Sequence, residues 1–552
     1  MSKNYWIKIM LGFLLLPVIL SGQTTSAKQA KAKMPKLVVG IVVDQMRYDY
    51  IFRYWDKLSN DGFKRLVSTG FFCKNTSYNY VPTYTGPGHT SIYTGTFPAV
   101  HGIIANEWYD KKTGKIMYCT DDNAVTSTGS TSIAGLMSPK NMLVTTIGDE
   151  LRLHTLQQSK VIGISLKDRA SILPAGHSAN AAYWFDGLTG DFISSSHYLK
   201  ELPQWVNDFN AKKLATSYLS KGWNTMLPID KYTESTADNV PFESAPNKKD
   251  LPVFPYEYTS YIEKQKFEII KATPYGNSIT KDLAIAALKA EKLGKGSFTD
   301  MLCVSFSSTD YVGHSYGPKS VEIEDVYLRL DLDLKELFAA LDVEVGKGNY
   351  TLFLTADHGA AEVPAYLQQQ KIPAGLVEED KVENELKKFL FSEFGDSLVL
   401  NVSNQQVFLN HKVMQTKKMD ITNVQKKAAD FLLTMDGIAE AYLGDDMKRF
   451  SYTSNSFKAL LQNGYNHKRS GDVMFRFNVA YFEAYMKKGT THGAEFSYDT
   501  HVPLLFYGWG IKPGSTVESI NITDIAPTIC SLLNIPFPNG CTGKPIKAIL
   551  DK

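Results

Sequence analysis

Apolar residues in this chain come in short unbroken runs that lead into polar side chains. KLVVGIVV runs into Asp44, KVIGISL into Lys167, FTDMLCVSFSS toward Asp310 and NYTLFLTA into Asp357, while VPLLFYGWG lies near the end. Runs of this length and β-branched content predict strands buried on both faces. Between them, SITKDLAIAALKAEKL and SVEIEDVYLRLDLDLKELFAALDVEV place apolar residues three and four apart, the spacing of amphipathic helices. Buried strands alternating with such helices predict an α/β fold: a three-layer core with a mostly parallel central sheet. Ligands in such sheets sit at the carboxyl ends of the strands, so the polar residues after each run become candidates for one site. Residues 185–275, rich in Pro, Asn, Lys, Trp and Tyr, and the lysine-rich 362–490 read as large insertions in a single catalytic domain spanning 28–552.

Composition narrows the class. With 43% hydrophobic and 21% charged residues among 552, the chain is globular. Lys plus Arg number 59 against 57 Asp plus Glu, which leaves no electrostatic footprint for nucleic acid, and no such partner is expected. At the N-terminus, Lys3 and Lys8 precede an apolar run from Ile9 to Leu20, followed by small and polar residues including Thr25-Ser26-Ala27. This predicts a signal peptide over 1–27 and a periplasmic or secreted protein, with an uncleaved anchor as the alternative. No later segment reaches about 18 uninterrupted apolar residues, so no stable membrane insertion is expected. Five cysteines permit at most two disulfides, and Cys530 and Cys541 are close enough in sequence to pair.

The stretch NYVPTYTGPGHTSIYTG (79–95) begins like a strand and ends like a helix. A hydroxyl-rich sharp turn between two elements can present a nucleophile or simply cap a helix. The residues narrow the nucleophile to Thr83 or Thr85. Thr90, Thr94 and Thr96 fall at or beyond the helix, where caps and surface are the expected roles. Gly86-Pro87-Gly88 reads as a turn that exposes the Thr85 oxygen and leads into a helix N-terminus, whose amides favour an anion.

A second constellation is of metal-ligand type. Asp310 and His314 are four apart after a strand, Asp357 and His358 are adjacent at a strand end, Asp44 follows the first strand, and His492 lies in KGTTHGAEF. Each alone has an ordinary structural reading. Together, they are carboxylate and imidazole side chains directed at one sheet end, the donors that divalent ions accept. Without a metal, three converging carboxylates would repel one another and lose hydration. Three aspartates and an ionised threonine oxygen balance two divalent ions, as in a site that clamps both oxygens of an in-line displacement at phosphorus. Lys167 and Arg169, two apart in SLKDRA, would point the same way if extended. They suit phosphoryl oxygens, and a solvated cation pair is the plainer alternative.

These residues are where the chain resembles the alkaline phosphatase superfamily, specifically its single-chain PafA type, itself related to nucleotide pyrophosphatase/phosphodiesterases. The matching blocks, in order, are VVGIVVDQMR, YVPTYTGPGHTSIYTGTFPAVHGIIANEWYD, VIGISLKDRASILPAGH, STDYVGHSYGP, RLDLDLKELF, TADHGAA, NGYNHKRSGDV, KKGTTHGAEFSYDTHVPLLFYGWGIK and TDIAPTICSLLNI. The resemblance implies two Zn2+ ions, one held by Asp310, His314 and His492. The other would be held by Asp44, Asp357, His358 and the oxygen of the nucleophile, Thr85. His501 competes with His492 on spacing and is read as structural. Lys167, Arg169 and Asn106 are implied to bind the phosphoryl oxygens. The implied reaction is hydrolysis of small phosphate monoesters through a phosphothreonine, by a chain acting as a monomer. Two cations beside a neutral metal–aspartate–alkoxide cluster match a dianionic monoester better than a monoanionic diester. A phosphodiesterase remains the nearest alternative, and a non-catalytic exported metal- or glycan-binding protein a more distant one. A sulfatase is excluded, because Cys73 is followed by KNTS rather than the context such a nucleophile needs.

Overall fold

Leu37–Val43 is apolar along its length and buried on both faces, which places it inside a sheet covered on both sides. The computed structural model describes residues 34–244, 251–453, 456–484 and 487–551; the predicted signal peptide lies outside the described residues. Its main sheet has eleven strands: β1 (Leu37–Val43), β2 (Phe71–Ser77), β3 (Ser127–Thr128), β4 (Val161–Ser165), β5 (Ala181–Asp186), β6 (Asp191–Ser195), β7 (Asp300–Phe306), β8 (Tyr350–Thr355), β9 (His501–Gly508), β10 (Gly514–Thr516) and β11 (Ile520–Asn521). Their order is β10-β2-β9-β8-β1-β7-β4-β5-β6-β3, with β11 also on β2. The centre, β8-β1-β7-β4-β5, is parallel throughout. The edges turn antiparallel where β9 joins β8, β2 joins β9, β6 joins β5 and β3 joins β6. The sheet is therefore mixed with a parallel heart, and helices cover both of its sides.

The helices of the core include α1 (Thr85–Thr94), α2 (Asp168–Ala175), α3 (Pro274–Ala290), α4 (Ser308–Tyr316) and α5 (Val321–Leu341). The two periodic segments of the sequence are α3 and α5. Ser320 caps α5 by accepting the Ile323 N–H at 3.1 Å. α2 follows β4 directly and packs back onto it. Gly163 of β4 lies so close beneath the Ser171 carbonyl that a Cβ there would overlap it.

The two long intervals differ from each other. The first is not wholly peripheral, because β6 extends the central sheet. Further along it, Trp223 and Tyr256 exchange backbone hydrogen bonds of 2.7 and 2.9 Å and are buried. The second has a small core of its own. Helices Glu379–Phe394 and Ile421–Leu432 pack on a four-stranded sheet formed by Val399–Ser403, Gln406–Leu409, Val473–Phe477 and Ile438–Leu443. Cys530 and Cys541, which sequence proximity left free to pair, are both free thiols. Among the described residues, no helix is long and apolar enough to cross a membrane.

Gly163→Ala is expected to push α2 off β4 and destabilise the protein by about 1–3 kcal/mol, the usual cost of overpacking. A lowered urea midpoint of unfolding checks this; an unchanged midpoint would show that α2 yields freely.

Candidate active site and metal centre

The parallel strands deliver their side chains to one edge of the sheet. Asp44 lies just beyond β1, Lys167 beyond β4, and Asp357 and His358 beyond β8, while β7 runs into α4 with Asp310 and His314 one turn apart. That i,i+4 spacing puts both on one helix face, and His314 Nε2 lies 3.2 Å from Asp310 Oδ1. His492 arrives from the segment before β9, its Nε2 3.6 Å from the same oxygen. His358 Nε2 stands 3.5 Å from Asp44 Oδ1 and 3.4 Å from Asp357 Oδ2.

Two trios each have donor atoms within 4.8 Å of one another: Asp310, His314 and His492, and Asp44, Asp310 and His358. The first is the trio the sequence implied. Asp310 falls in both trios, and Asp357, expected with Asp44 and His358, has its Oδ2 3.4 Å from His358 Nε2. Asp357 Oδ2 remains at the edge of the second set and also faces His89 Nδ1 at 3.3 Å.

The tautomer of each histidine follows from its back side. His314 Nδ1 lies 2.8 Å from the Thr490 carbonyl, His492 Nδ1 2.7 Å from that of Thr83, and His358 Nδ1 3.0 Å from that of Gly359. A carbonyl only accepts, so each Nδ1 carries the proton and each Nε2 turns a lone pair inward. Burial holds His492 well below the usual imidazole range and lowers His358 too. His314 moves the other way: burial opposes its charge, but Asp310 outweighs that.

The carboxylates carry the strain of the site. Burial pushes Asp44 well above the usual range, and Asp310 and Asp357 push it further. Burial opposes ionisation of Asp310 as well, yet His314 and Lys167 hold it well below. Asp44 Oδ1 and His358 Nε2 are buried without a hydrogen-bond partner among the described residues. Such orphaned atoms are costly unless something binds them. Oxygen and imidazole nitrogen donors, inward-facing and tied from behind, fit a divalent cation such as zinc.

Lys167 Nζ sits among these acids, 2.6 Å from Asp44 Oδ2, 2.6 Å from Asp310 Oδ2 and 3.4 Å from Thr85 Oγ1. Burial disfavours its charge, but Asp310 and Asp44 raise its pKa above the ordinary lysine value. Thr85 is the first residue of α1. Gly86-Pro87-Gly88, expected as a turn before the helix, is instead its first turn, where Pro87 is tolerated and the Gly88 N–H donates to the Tyr84 carbonyl at 2.8 Å. The Gly86 N–H donates to Asn106 Oδ1 at 2.8 Å. A Cβ on Gly88 would collide with the Asp357 carbonyl, so this glycine lets α1 seat against β8's end.

The other threonines are buried and occupied, which corrects the surface roles expected for Thr90, Thr94 and Thr96. Thr90 donates to the Gly86 carbonyl and Thr94 to that of Thr90, both at 2.7 Å. Thr96 bonds the Thr542 hydroxyl at 3.1 Å, and Thr83 donates to the Ala494 carbonyl at 3.1 Å.

Lys167 and Arg169 are not on an extended segment. Lys167 immediately precedes α2 and Arg169 lies in its first turn. Arg169 Nη1 donates to the Tyr118 hydroxyl, which donates in turn to Asp168 Oδ1, both at 2.8 Å. No hydrogen bond joins Arg169 to Thr85, Lys167 or Asn106 among the described residues, and its buried Nε has no partner there. His501 belongs to neither trio. Its Nε2 lies 3.0 Å from the Lys74 carbonyl and its ring stacks on Tyr48 at 4.2 Å. Gln45, Tyr118 and His89 have a part in the site that sequence reasoning missed. Only Gln45 carried a signal, its place beside a strand-end aspartate.

A family model described as type I phosphodiesterase / nucleotide pyrophosphatase matches residues 38–499, and the chain belongs to that family. Within it, the chain is 46% identical to alkaline phosphatase PafA of Elizabethkingia meningoseptica, over 99% of both chains. It is also 46% identical to alkaline phosphatase PhoV of Synechococcus elongatus, over 96% of this chain and 97% of that one. The crystal structure of wild-type PafA matches with a TM-score of 0.91 at 47% identity, covering 94% of this chain and 99% of that one.

Exhaustive chelation is expected to lower the thermal midpoint of unfolding, since removal of bound cations leaves three buried carboxylates facing one another. Calorimetry before and after chelation, then after zinc is returned, reads this. A midpoint indifferent to both would count against a metal centre.

Proposed function

We propose that the protein is an exported two-zinc alkaline phosphatase that hydrolyses phosphate monoesters through a phosphothreonine on Thr85. The observation that carries this is the place of Lys167 Nζ, 3.4 Å from Thr85 Oγ1 and 2.6 Å from a carboxylate of each donor trio. One nucleophile, one phosphate-type cation and both candidate metal sets thus meet at a single point. The full-length similarity to two alkaline phosphatases supports the same reading.

Thr85 Oγ1 lies at the start of α1, where the helix dipole favours negative charge. It gives up its proton to solvent as it attacks phosphorus in line, the bond to the leaving oxygen breaks, and that oxygen takes a proton back from solvent water. Asn106 is held by its Oδ1 on the Gly86 N–H, which leaves its amide Nδ2 to donate to a phosphoryl oxygen. Lys167 supplies a point charge and Arg169 a planar fork to the remaining oxygens, with Tyr118 bracing the guanidinium from behind. Water then attacks from the side the leaving group vacated, restoring the Thr85 hydroxyl and releasing phosphate. Two divalent ions would be held by Asp310, His314 and His492 and by Asp44, Asp357 and His358 beside Asp310, and would supply Lewis-acid chemistry there. Two cations converging on the non-bridging oxygens favour a dianionic monoester over a diester.

Thr85→Ala is expected to cut turnover of an aryl phosphate by roughly 1,000-fold or more while zinc content is kept. Substantial residual activity would mean another nucleophile. Lys167→Ala and Arg169→Ala are each expected to lower monoester kcat/KM by about 10- to 100-fold, and to lower it less for the methyl diester. If the unaltered protein prefers the diester, it is a phosphodiesterase and the monoesterase reading fails.

A further inference from the structure

Gln45 follows Asp44 at the exit of β1, is 2% exposed, and has φ +61°. That left-handed backbone is uncommon for a residue with a side chain and costs about 1 kcal/mol or more. The turn it makes does two things. It aims the Gln45 backbone N–H at Asp357 Oδ1, 3.1 Å away, and the side-chain Nε2 at Asp310 Oδ1, 2.7 Å away. Gly313 of α4 makes room for this, since a Cβ there would overlap Gln45 Oε1.

We propose that Gln45 is a positioning residue for the metal centre: it orients the Asp310 carboxylate common to both donor trios and ties Asp357 to the same turn. The choice of an amide follows from charge. The carboxylates must stay free to neutralise divalent ions, so a second cation beside Lys167 would compete for them and another carboxylate would add repulsion. A neutral donor occupies one lone pair of Asp310 Oδ1 and leaves the other for a metal. Hydrogen bonds of this kind behind a ligand typically contribute about 10- to 100-fold in metal affinity or activity. The two contacts are also separable, because the bond to Asp357 comes from the backbone and survives a change of side chain.

This inference rests on the reading that the trios hold divalent ions. Two variants test it in the full-length protein. Gln45→Gly relaxes the backbone and removes the donor, while Gln45→Met keeps the volume and removes the donor. Competition of each with a chelating zinc indicator is expected to show zinc binding about 10- to 100-fold weaker than in the unaltered protein. Phosphatase activity should recover as free zinc is raised, which a purely structural defect would not allow. Gln45→Gly should meanwhile unfold no more easily than the unaltered protein when both are metal-free. If either variant binds zinc as tightly as the unaltered protein, Gln45 has no positioning role. If the unaltered protein binds no zinc in the same titration, the metal reading falls and this inference with it.

Discussion

Like charges held side by side out of water are the demand around which this molecule is organised. Asp44, Asp310 and Asp357 are almost wholly buried, and each ion loses several kcal/mol of hydration before their mutual repulsion is counted. They cannot relax apart, because β1, β7 and β8 are hydrogen-bonded neighbours in the centre of the sheet. Opposite charge has to come to them. Lys167 does part of this from β4, and the inward lone pairs of His314, His358 and His492 provide for more. The sheet sets the problem and its own strand ends hold the answer.

A second layer, much of it main chain, stands behind the reactive groups. Carbonyls of Thr83, Gly359 and Thr490 fix the three imidazoles, the Gly86 N–H fixes Asn106, and the Gln45 N–H fixes Asp357. Backbone groups have no protonation state to lose and no rotamer to change. They can therefore hold the site's geometry over a wide range of pH. Side chains serve at two places: the Tyr118 hydroxyl braces Arg169 and the Gln45 amide holds Asp310.

The strand-end acids and histidines were legible because a fully buried strand rarely stops at a charge without a reason, and several did so in one sheet. The choice of Thr85 over Thr83 as the proposed nucleophile was not legible from the residues alone. The difference lies in where α1 begins, and Gly86-Pro87-Gly88 disguised that start as a turn. The burial of Thr90 and Thr94 was also hidden, because a hydroxyl bonded to the carbonyl four residues back satisfies itself locally, and that of Thr96 rests on Thr542, far along the chain. How the carboxylates divide between the two trios was beyond the sequence, since that depends on the rotamer of Asp310. The second long interval gave its composition but not its independent core, whose strands are short and partly exposed.

The double membership of Asp310 has a thermodynamic consequence. A carboxylate that belongs to two binding sets makes their occupancies interdependent: fixing its rotamer at one set changes the free energy of filling the other. By reciprocity, the second set alters the first by the same amount. If ions fill both sets as proposed, their loading would carry the coupling between them.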